Sequence, residues 1–275
     1  MNHKGVDECS GDLPMASARP FRVKSGNTAK VHEVRVAEPR TLTIDIGGTG
    51  IKMLPMDGKG KALAERAREL TPQPAQPQAV METIKRMLSD QGEYDRVSVG
   101  FPGVVVHGVV HTAPNLGTEQ WRGFELLKAI KQATGKPVRA MNDVDLQGYG
   151  VIRGVGVELV FTLGTGLGSA LYSNGHLVPN LELAHHPFGK SSTYEERVSN
   201  SELKKVGRKK WNKRVREVIE QIEPIFNYDI LYIGGGNAKK LIGKLPPRVR
   251  IFENVEGMTG GIRLWNDDVQ QSKRQ

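Results

Sequence analysis

Two aspartates and two glycine-rich turns are where this chain could do chemistry. Asp45 ends an apolar run and opens Asp45-Ile-Gly47-Gly48-Thr49-Gly50-Ile-Lys52. Asp143 follows a second apolar run in Asn142-Asp143-Val-Asp145, and the other turn reads Leu163-Gly164-Thr165-Gly166-Leu-Gly168-Ser169. Glycine accepts positive φ and carries no Cβ, so backbone amides in such turns can converge on an anion. Threonine hydroxyls add donors. Neither turn has the spacing of a Walker loop, and Gly164, Gly166 and Gly168 do not give the dinucleotide fingerprint. Two strand–turn–strand units of this kind predict a phosphate chain gripped between two lobes, and so phosphoryl transfer. That reaction needs a group to take the acceptor hydroxyl's proton. Asp143 is the candidate base. The competing reading makes Asn142-Asp143 a plain helix N-cap. Asp145 reads as structural.

Other residues carry weaker signals. Glu182 and His185 lie three apart and share a helical face. They could bind sugar hydroxyls, contribute to an incomplete metal set, or form a surface pair. Gly234-Gly235-Gly236, after a strand, admits a ligand close to the backbone or simply turns the chain. The string from Lys204 to Arg216 is strongly basic. Lys209, Lys213 and Arg216 fall opposite a Trp211/Val215/Val218 stripe, as a solvated helix face or a track for a polyanion. Nucleic acid is disfavoured as a partner, since aromatic residues are few and no reader motif is present.

The elements that must hold these residues follow from periodicity. Strands are expected at about 41–46, 51–55 and 61–68, with a turn at Asp57-Gly58, and a helix through Ala79 to Leu88. A strand through Val97 to Gly103 and a hairpin at His107-Gly108 come next. A helix over Phe124 to Ile130 precedes the strand Val138–Met141 that delivers Asn142 and Asp143. After the second glycine turn, Trp211, Val215, Val218, Ile222 and Ile225 mark a helix face. Ile230 to Gly234 is a strand, with helices expected over Ala238–Ile242 and Met258–Trp265. The order predicts two similar α/β lobes around a cleft, divided as 40–114 and 115–275, with the last helix returning to the first lobe. Residues 1–39 mix proline, serine, glycine and charge without periodicity and read as a flexible extension.

The 275 residues carry a net charge of +9, of which the first forty hold only +2, so the basic excess belongs to the folded body. That favours an anionic partner. No apolar run reaches the length of a membrane helix, and no signal-peptide core opens the chain. Cys9 is the only cysteine. It allows no intrachain disulfide and no cysteine-based zinc site, and it suits a reducing cytoplasm.

Taken in order, these segments resemble the sugar-kinase branch of the ROK (repressor, open reading frame, kinase) family, and within it the polyphosphate-using glucokinases. Asp45 to Lys52 resembles the first phosphate motif and Leu163 to Ser169 the second. Gly100-Phe-Pro-Gly103-Val-Val, His107-Gly108-Val-Val and Asn115-Leu resemble the acceptor-side segment. Asn142-Asp143-Val-Asp145 resembles the catalytic N-D-x-D, and Glu182-x-x-His185 the family E-x-G-H, with Ala184 in place of glycine. The resemblance spans about 40 to 265. It implies a two-lobed actin-like ATPase (ribonuclease H-like) fold with a central cleft. It also implies transfer of a phosphoryl group from polyphosphate or ATP, with Mg²⁺ and without zinc, to the 6-hydroxyl of glucose or a related hexose. Asn115, Asn142, Glu182, His185 and Glu195 would hold the sugar. Gly47, Gly48, Thr49, Gly50, Lys52, Gly164, Thr165, Gly166 and Gly168 would cradle the phosphates. Asp45 would help place the metal through water, and Gly234 to Gly236 would form the adenosine-side turn. Family members are usually homodimers; neither nucleic acid nor membrane is implied as a partner. The alternatives within the resemblance are an ATP-only kinase for another hexose and a sugar-sensing regulator. The regulators carry an N-terminal helix-turn-helix, which residues 1–40 do not suggest.

Overall fold

The computed structural model describes residues 38–179 and 181–266. The extension expected over 1–39 therefore lies, up to position 37, outside the described residues, and so does Cys9.

The chain begins with β1 (Thr41–Ile46), β2 (Gly50–Met56) and β3 (Ala67–Leu70). All six residues of β1 are buried, as expected of a strand covered on both faces. The third strand starts later than its expected position. The Asp57 carboxylate accepts the amides of Lys59 and Lys61 at 2.9 Å each, closing the turn expected at Asp57-Gly58; beyond it Ala62 makes only a single bridge to Met56 before β3 begins. Helix α1 (Pro77–Leu88) has proline in its first turn and buries Val80, Met81, Ile84 and Met87, one stripe at helical spacing. Strand β4 (Arg96–Phe101) follows, then the small hairpin β5 (Val105–Val106) and β6 (Val109–Val110), the short helix α2 (Thr118–Trp121), and α3 (Leu126–Thr134). Gly135 ends α3 in the left-handed region at φ 65°. Strand β7 (Val138–Asn142) completes a sheet of order β3-β2-β1-β4-β7. Residues 115–142 thus lie with the first sheet rather than with the second lobe, because β7 pairs in parallel with β4.

The second half repeats the plan. After α4 (Asp143–Val151) come β8 (Val157–Leu163), β9 (Leu167–Ser173) and β10 (His176–Val178). The short pair β11 (Pro187–Phe188) and β12 (Ser192–Thr193) leads to α5 (Tyr194–Val198) and the long α6 (Asn200–Phe226). Gly207, at φ 78°, kinks α6. Strands β13 (Ile230–Gly234) and β14 (Val249–Ile251) finish a sheet of order β10-β9-β8-β13-β14. Each sheet has two antiparallel pairings followed by two parallel ones. This doubled arrangement is the actin-like fold.

Trp211, Val215, Val218 and Ile222 are buried under the second sheet, but Ile225 is 59% exposed, because α6 overruns the core there. The helix expected over 238–242 is a single 3₁₀ turn, Ala238–Lys240. The chain closes with α7 (Asn254–Met258) and α8 (Gly260–Arg263). Helix α8 packs on β1 and β4 of the first sheet as well as on α4. Ser98 Oγ donates to the Gly261 carbonyl at 2.6 Å and accepts from Trp265 Nε1 at 2.8 Å.

Candidate active site

The two hairpins β1–β2 and β8–β9 bring their glycine turns to one cleft of about 510 Å³. Thr49 Oγ1 lies 3.0 Å from Thr165 Oγ1, so the first turn touches the second directly. Within each turn a short backbone bond sets the curl: Gly47 N to the Gly50 carbonyl at 3.1 Å, and Gly164 N to the Gly166 carbonyl at 3.0 Å. Among the described residues, the amides of Gly48, Thr49, Thr165 and Gly166 have no protein acceptor. Four free amide donors at one cleft wall, beside two threonine hydroxyls that bond each other, are the parts of an anion cradle. Thr71 Oγ1, bonded to the Gly47 carbonyl at 2.5 Å, braces the first turn. Asn237 and Asn200 brace the second, both bonding the Gly164 carbonyl.

The antiparallel register of β1 and β2 sets Asp45 opposite Lys52, and their side chains pair at 2.6 Å. A buried carboxylate is strongly disfavoured without such a partner. Asp143 opens α4 on the same cleft floor. Asn142 caps that helix: its Oδ1 accepts from the amides of Val144 at 2.8 Å and Asp145 at 3.2 Å. The cap reading therefore holds for Asn142, while Asp143 is left facing the cavity. Asn142 lines the cleft with its acceptor engaged and its Nδ2 donating to the Gly103 carbonyl at 3.4 Å, so the second N–H of Nδ2 is what it has left to offer a ligand. Burial pushes the Asp143 carboxyl well above its ordinary range, and nearby Asp45 pushes it further; the Val144 amide and Lys52 oppose them.

The start of α4 is seated between the lobes by two close approaches. A Cβ on Gly100, in β4, would meet Leu146 Cδ2 at 3.1 Å and the Asp143 Cα at 3.2 Å. One on Gly168, in β9, would meet Thr162 Oγ1 at 2.5 Å and run into Val144 Cγ2. Only glycine leaves α4 this close to both sheets.

The residues expected to hold a sugar line the same cleft. Asn115 packs against Gly48 of the first turn, 3.0 Å from where a Cβ there would stand. Ser169 in β9 bonds the Leu181 carbonyl and the Leu183 amide, fixing the segment that carries Glu182. Glu182 and His185 approach to 4.0 Å. Desolvation raises the Glu182 carboxyl and Glu195 adds to that, while His185 opposes it. Glu195, from α5, accepts the Leu167 amide at 3.1 Å and lies directly beneath Gly166. Asn115, Asn142, Asp143, Glu182, His185 and Glu195 all line the cleft, with Asp45, Lys52 and every residue expected from the two turns.

Gly234 is the exception. It ends β13, buried, with the Phe252 ring where a side chain would go, and it does not reach the cavity. Only Gly235 and Gly236 of the triplet line it. Of the basic helix, Lys209 and Lys213 are exposed, but the Arg216 guanidinium is tied to the carbonyls of Ile242 and Lys244. Sequence reasoning missed Arg66, Arg68 and Lys239, which also line the cleft. Arg68 lies in β3 and Arg66 just before it; both fell inside the strand expected at 61–68, but two arginines in alternation read equally well as a solvated face.

The family model for the ROK family matches residues 41–182. Polyphosphate glucokinase of Mycobacterium tuberculosis is 35% identical over 79% of this chain and 88% of its own. That of Mycobacterium leprae is 33% identical over 84% and 76%. Among solved structures, the inorganic polyphosphate/ATP-glucomannokinase of Arthrobacter sp. strain KM superposes with a TM-score of 0.74 at 33% identity, covering 82% of this chain and 98% of that one. A ROK family glucokinase of Streptomyces griseus, solved with glucose and AMPPNP, shares the fold with a TM-score of 0.69 at 19% identity, over 84% and 99%.

Proposed function

The chain belongs to the ROK family, and from that premise we propose that it is a hexose kinase moving a phosphoryl group from polyphosphate or ATP to the 6-hydroxyl of glucose. The observation that carries this reading is the meeting of the two glycine turns at Thr49 and Thr165, 3.0 Å apart, in the cleft that Asp143 lines. The free amides of the turns bind the donor's phosphates. Asn115, the Asn142 amide nitrogen, Glu182, His185 and Glu195 hold the sugar with the mixed donors and acceptors that hydroxyls require. Asp143 takes the proton of the 6-hydroxyl as the sugar oxygen bonds to the terminal phosphorus. The bridging P–O bond then breaks, and the donor leaves one phosphate shorter. The raised affinity of Asp143 for a proton makes it a stronger base once ionised.

Mg²⁺ fits this site. It is held by one or two carboxylates together with substrate phosphates rather than by an all-protein cage, and Asp45 and Asp143 face the cleft beside the turns. No group of three metal-ligating side chains occurs among the described residues. Asp45 would hold the ion, through water, and a bound ion would supply charge neutralisation at the phosphates. Lys52 stands ready to offset the same charge.

The same reading places the enzyme in the cytoplasm, where such donors occur, and makes it a homodimer, which light scattering reads directly. No helix among the described residues is long and apolar enough to cross a membrane. The deciding experiment follows glucose 6-phosphate formation with Mg²⁺ and either ATP or polyphosphate. Turnover with at least one donor is expected. None with either, for a folded protein that binds glucose, overturns the reading.

A further inference from the structure

Three cations line the cleft without a carboxylate partner among the described residues: Arg66, Arg68 and Lys239. Every acid in the same cleft is otherwise engaged or committed. Asp45 is paired with Lys52, Glu182 approaches His185, Glu195 holds the Leu167 amide, and Asp143 is the proposed base at the cleft. The lining holds as many carboxylates as lysines and arginines, four of each, but none of those carboxylates pairs with these three, so each remains a local positive charge in a concave site, where low-dielectric walls focus it.

Its placement is specific. Strand β3 pairs with β2 so that Arg68 stands opposite Lys52. The Arg68 guanidinium crosses Gly50, its Nε 3.0 Å from where a Cβ of Gly50 would stand. Arg68 thus lies beside the first phosphate turn. Lys239 projects from the 3₁₀ turn next to Asn237, which braces the second. That turn is in turn bound to the basic helix: Arg208 Nε and Asn212 Nδ2 both donate to the Lys240 carbonyl, at 2.8 and 3.0 Å.

We infer that Arg66, Arg68 and Lys239 form a binding rim for the part of a long polyphosphate that extends beyond the phosphates held by the two turns. Guanidinium and ammonium groups suit a flexible repeating anion, since each new phosphate presents the same oxygens. A nucleotide presents no phosphates past its third. The rim therefore discriminates by chain length. The inference rests on the phosphoryl-donor reading above and names the donor class that this cleft selects.

The test compares three donors, each with glucose and Mg²⁺: long-chain polyphosphate, tripolyphosphate and ATP. Wild type is set against Arg66→Gln, Arg68→Gln and Lys239→Gln, singly and combined, over a range of salt. The combined variant should lose about tenfold or more in kcat/KM for long polyphosphate relative to ATP, with tripolyphosphate behaving like ATP. The log–log salt dependence with the long donor should become shallower by about one unit per cation removed. Arg66→Lys with Arg68→Lys should restore that slope, since charge is kept. Equal losses with all three donors, or no change in the ratio and the slope, overturn the rim while leaving the kinase reading intact. Turnover with ATP but none with polyphosphate in wild type overturns the polyphosphate half of the donor reading and the rim together. Should the combined variant not fold, the single variants decide by the same ratio.

Discussion

Asp143 is asked to be ionised in a place that resists ionisation. Asp143→Asn should lower kcat by roughly two or more orders of magnitude while leaving glucose affinity nearly intact, since the amide keeps the shape but cannot accept the proton. Isothermal titration with glucose, beside initial rates, separates the two effects. The acidic limb of the kcat/KM profile should lie above the ordinary carboxylate range near about 4, because burial and Asp45 raise the group. Linkage gives a matching signature in stability. A carboxyl whose folded pKa is raised contributes stability that is full below its unfolded value and is lost as pH rises through the folded one. Wild type should therefore lose stability relative to Asp143→Asn as pH climbs above about 4, read by thermal melts at several pH values. Parallel melting curves would remove the raised carboxyl. Glu195 makes a different demand. Its carboxylate holds the Leu167 amide of the second glycine turn while lining the cleft where the sugar is proposed to bind. Glu195→Gln should raise KM for donor and glucose together, whereas a residue acting on the sugar alone would move only the second.

At the scale of elements, α4 is the part on which the site turns. Its first residues pass between Gly100 of one sheet and Gly168 of the other. Gly168→Ala would drive a methyl into Val144 and against Thr162 Oγ1 at 2.5 Å. The helix start must shift, at a cost of about 1–3 kcal/mol for overpacking. Because Asp143 rides on that start, kcat should fall about tenfold or more while the fold survives. Denaturant titration with rate measurements checks both. The strands carrying the turns were legible in the sequence because β1 and β8 are short apolar runs broken by glycine. Asp143 was legible as the residue after such a run. Strand β3 was not, since the apolar Ala62-Leu63-Ala64 just before it reads as part of the strand and half of its own residues are exposed, so alternation gave no firm start. Gly234 misled for another reason. A glycine after a strand reads the same whether it faces a ligand or, as here, an aromatic ring. The lobe boundary at 114 missed that β7 pairs with β4, a parallel contact across about forty residues that no local pattern reveals.

Across residues 38–266 the two sheets are tied together by the end of the chain as well as by α4. The Trp265 ring lies under two guanidiniums, Arg139 at 4.2 Å and Arg96 at 5.1 Å, and its indole N–H reaches Ser98 of β4. Burial lowers the Arg96 pKa and the neighbouring Arg139 charge lowers it further, so the ring stands where two like charges would otherwise meet bare. Cation–π contacts of this kind are worth about 0.5–2 kcal/mol each, in addition to the area that Trp265 covers. Trp265→Ala should therefore cost more than its partial burial alone suggests, about 3 kcal/mol. At roughly 2–4 °C per kcal/mol for a chain of this size, that is a fall in Tm of about 6–12 °C. Trp265→Phe keeps a face for the guanidiniums and loses the bond to Ser98, so its loss should be nearer about 1 kcal/mol. The ranking matters more than either value. If both variants melt alike, the indole N–H rather than the stacked ring joins the last segment to the first sheet. If neither changes Tm, α8 is held by its backbone contacts with Thr43 and Ser98, and the aromatic clasp contributes nothing to keeping the lobes in register around the cleft.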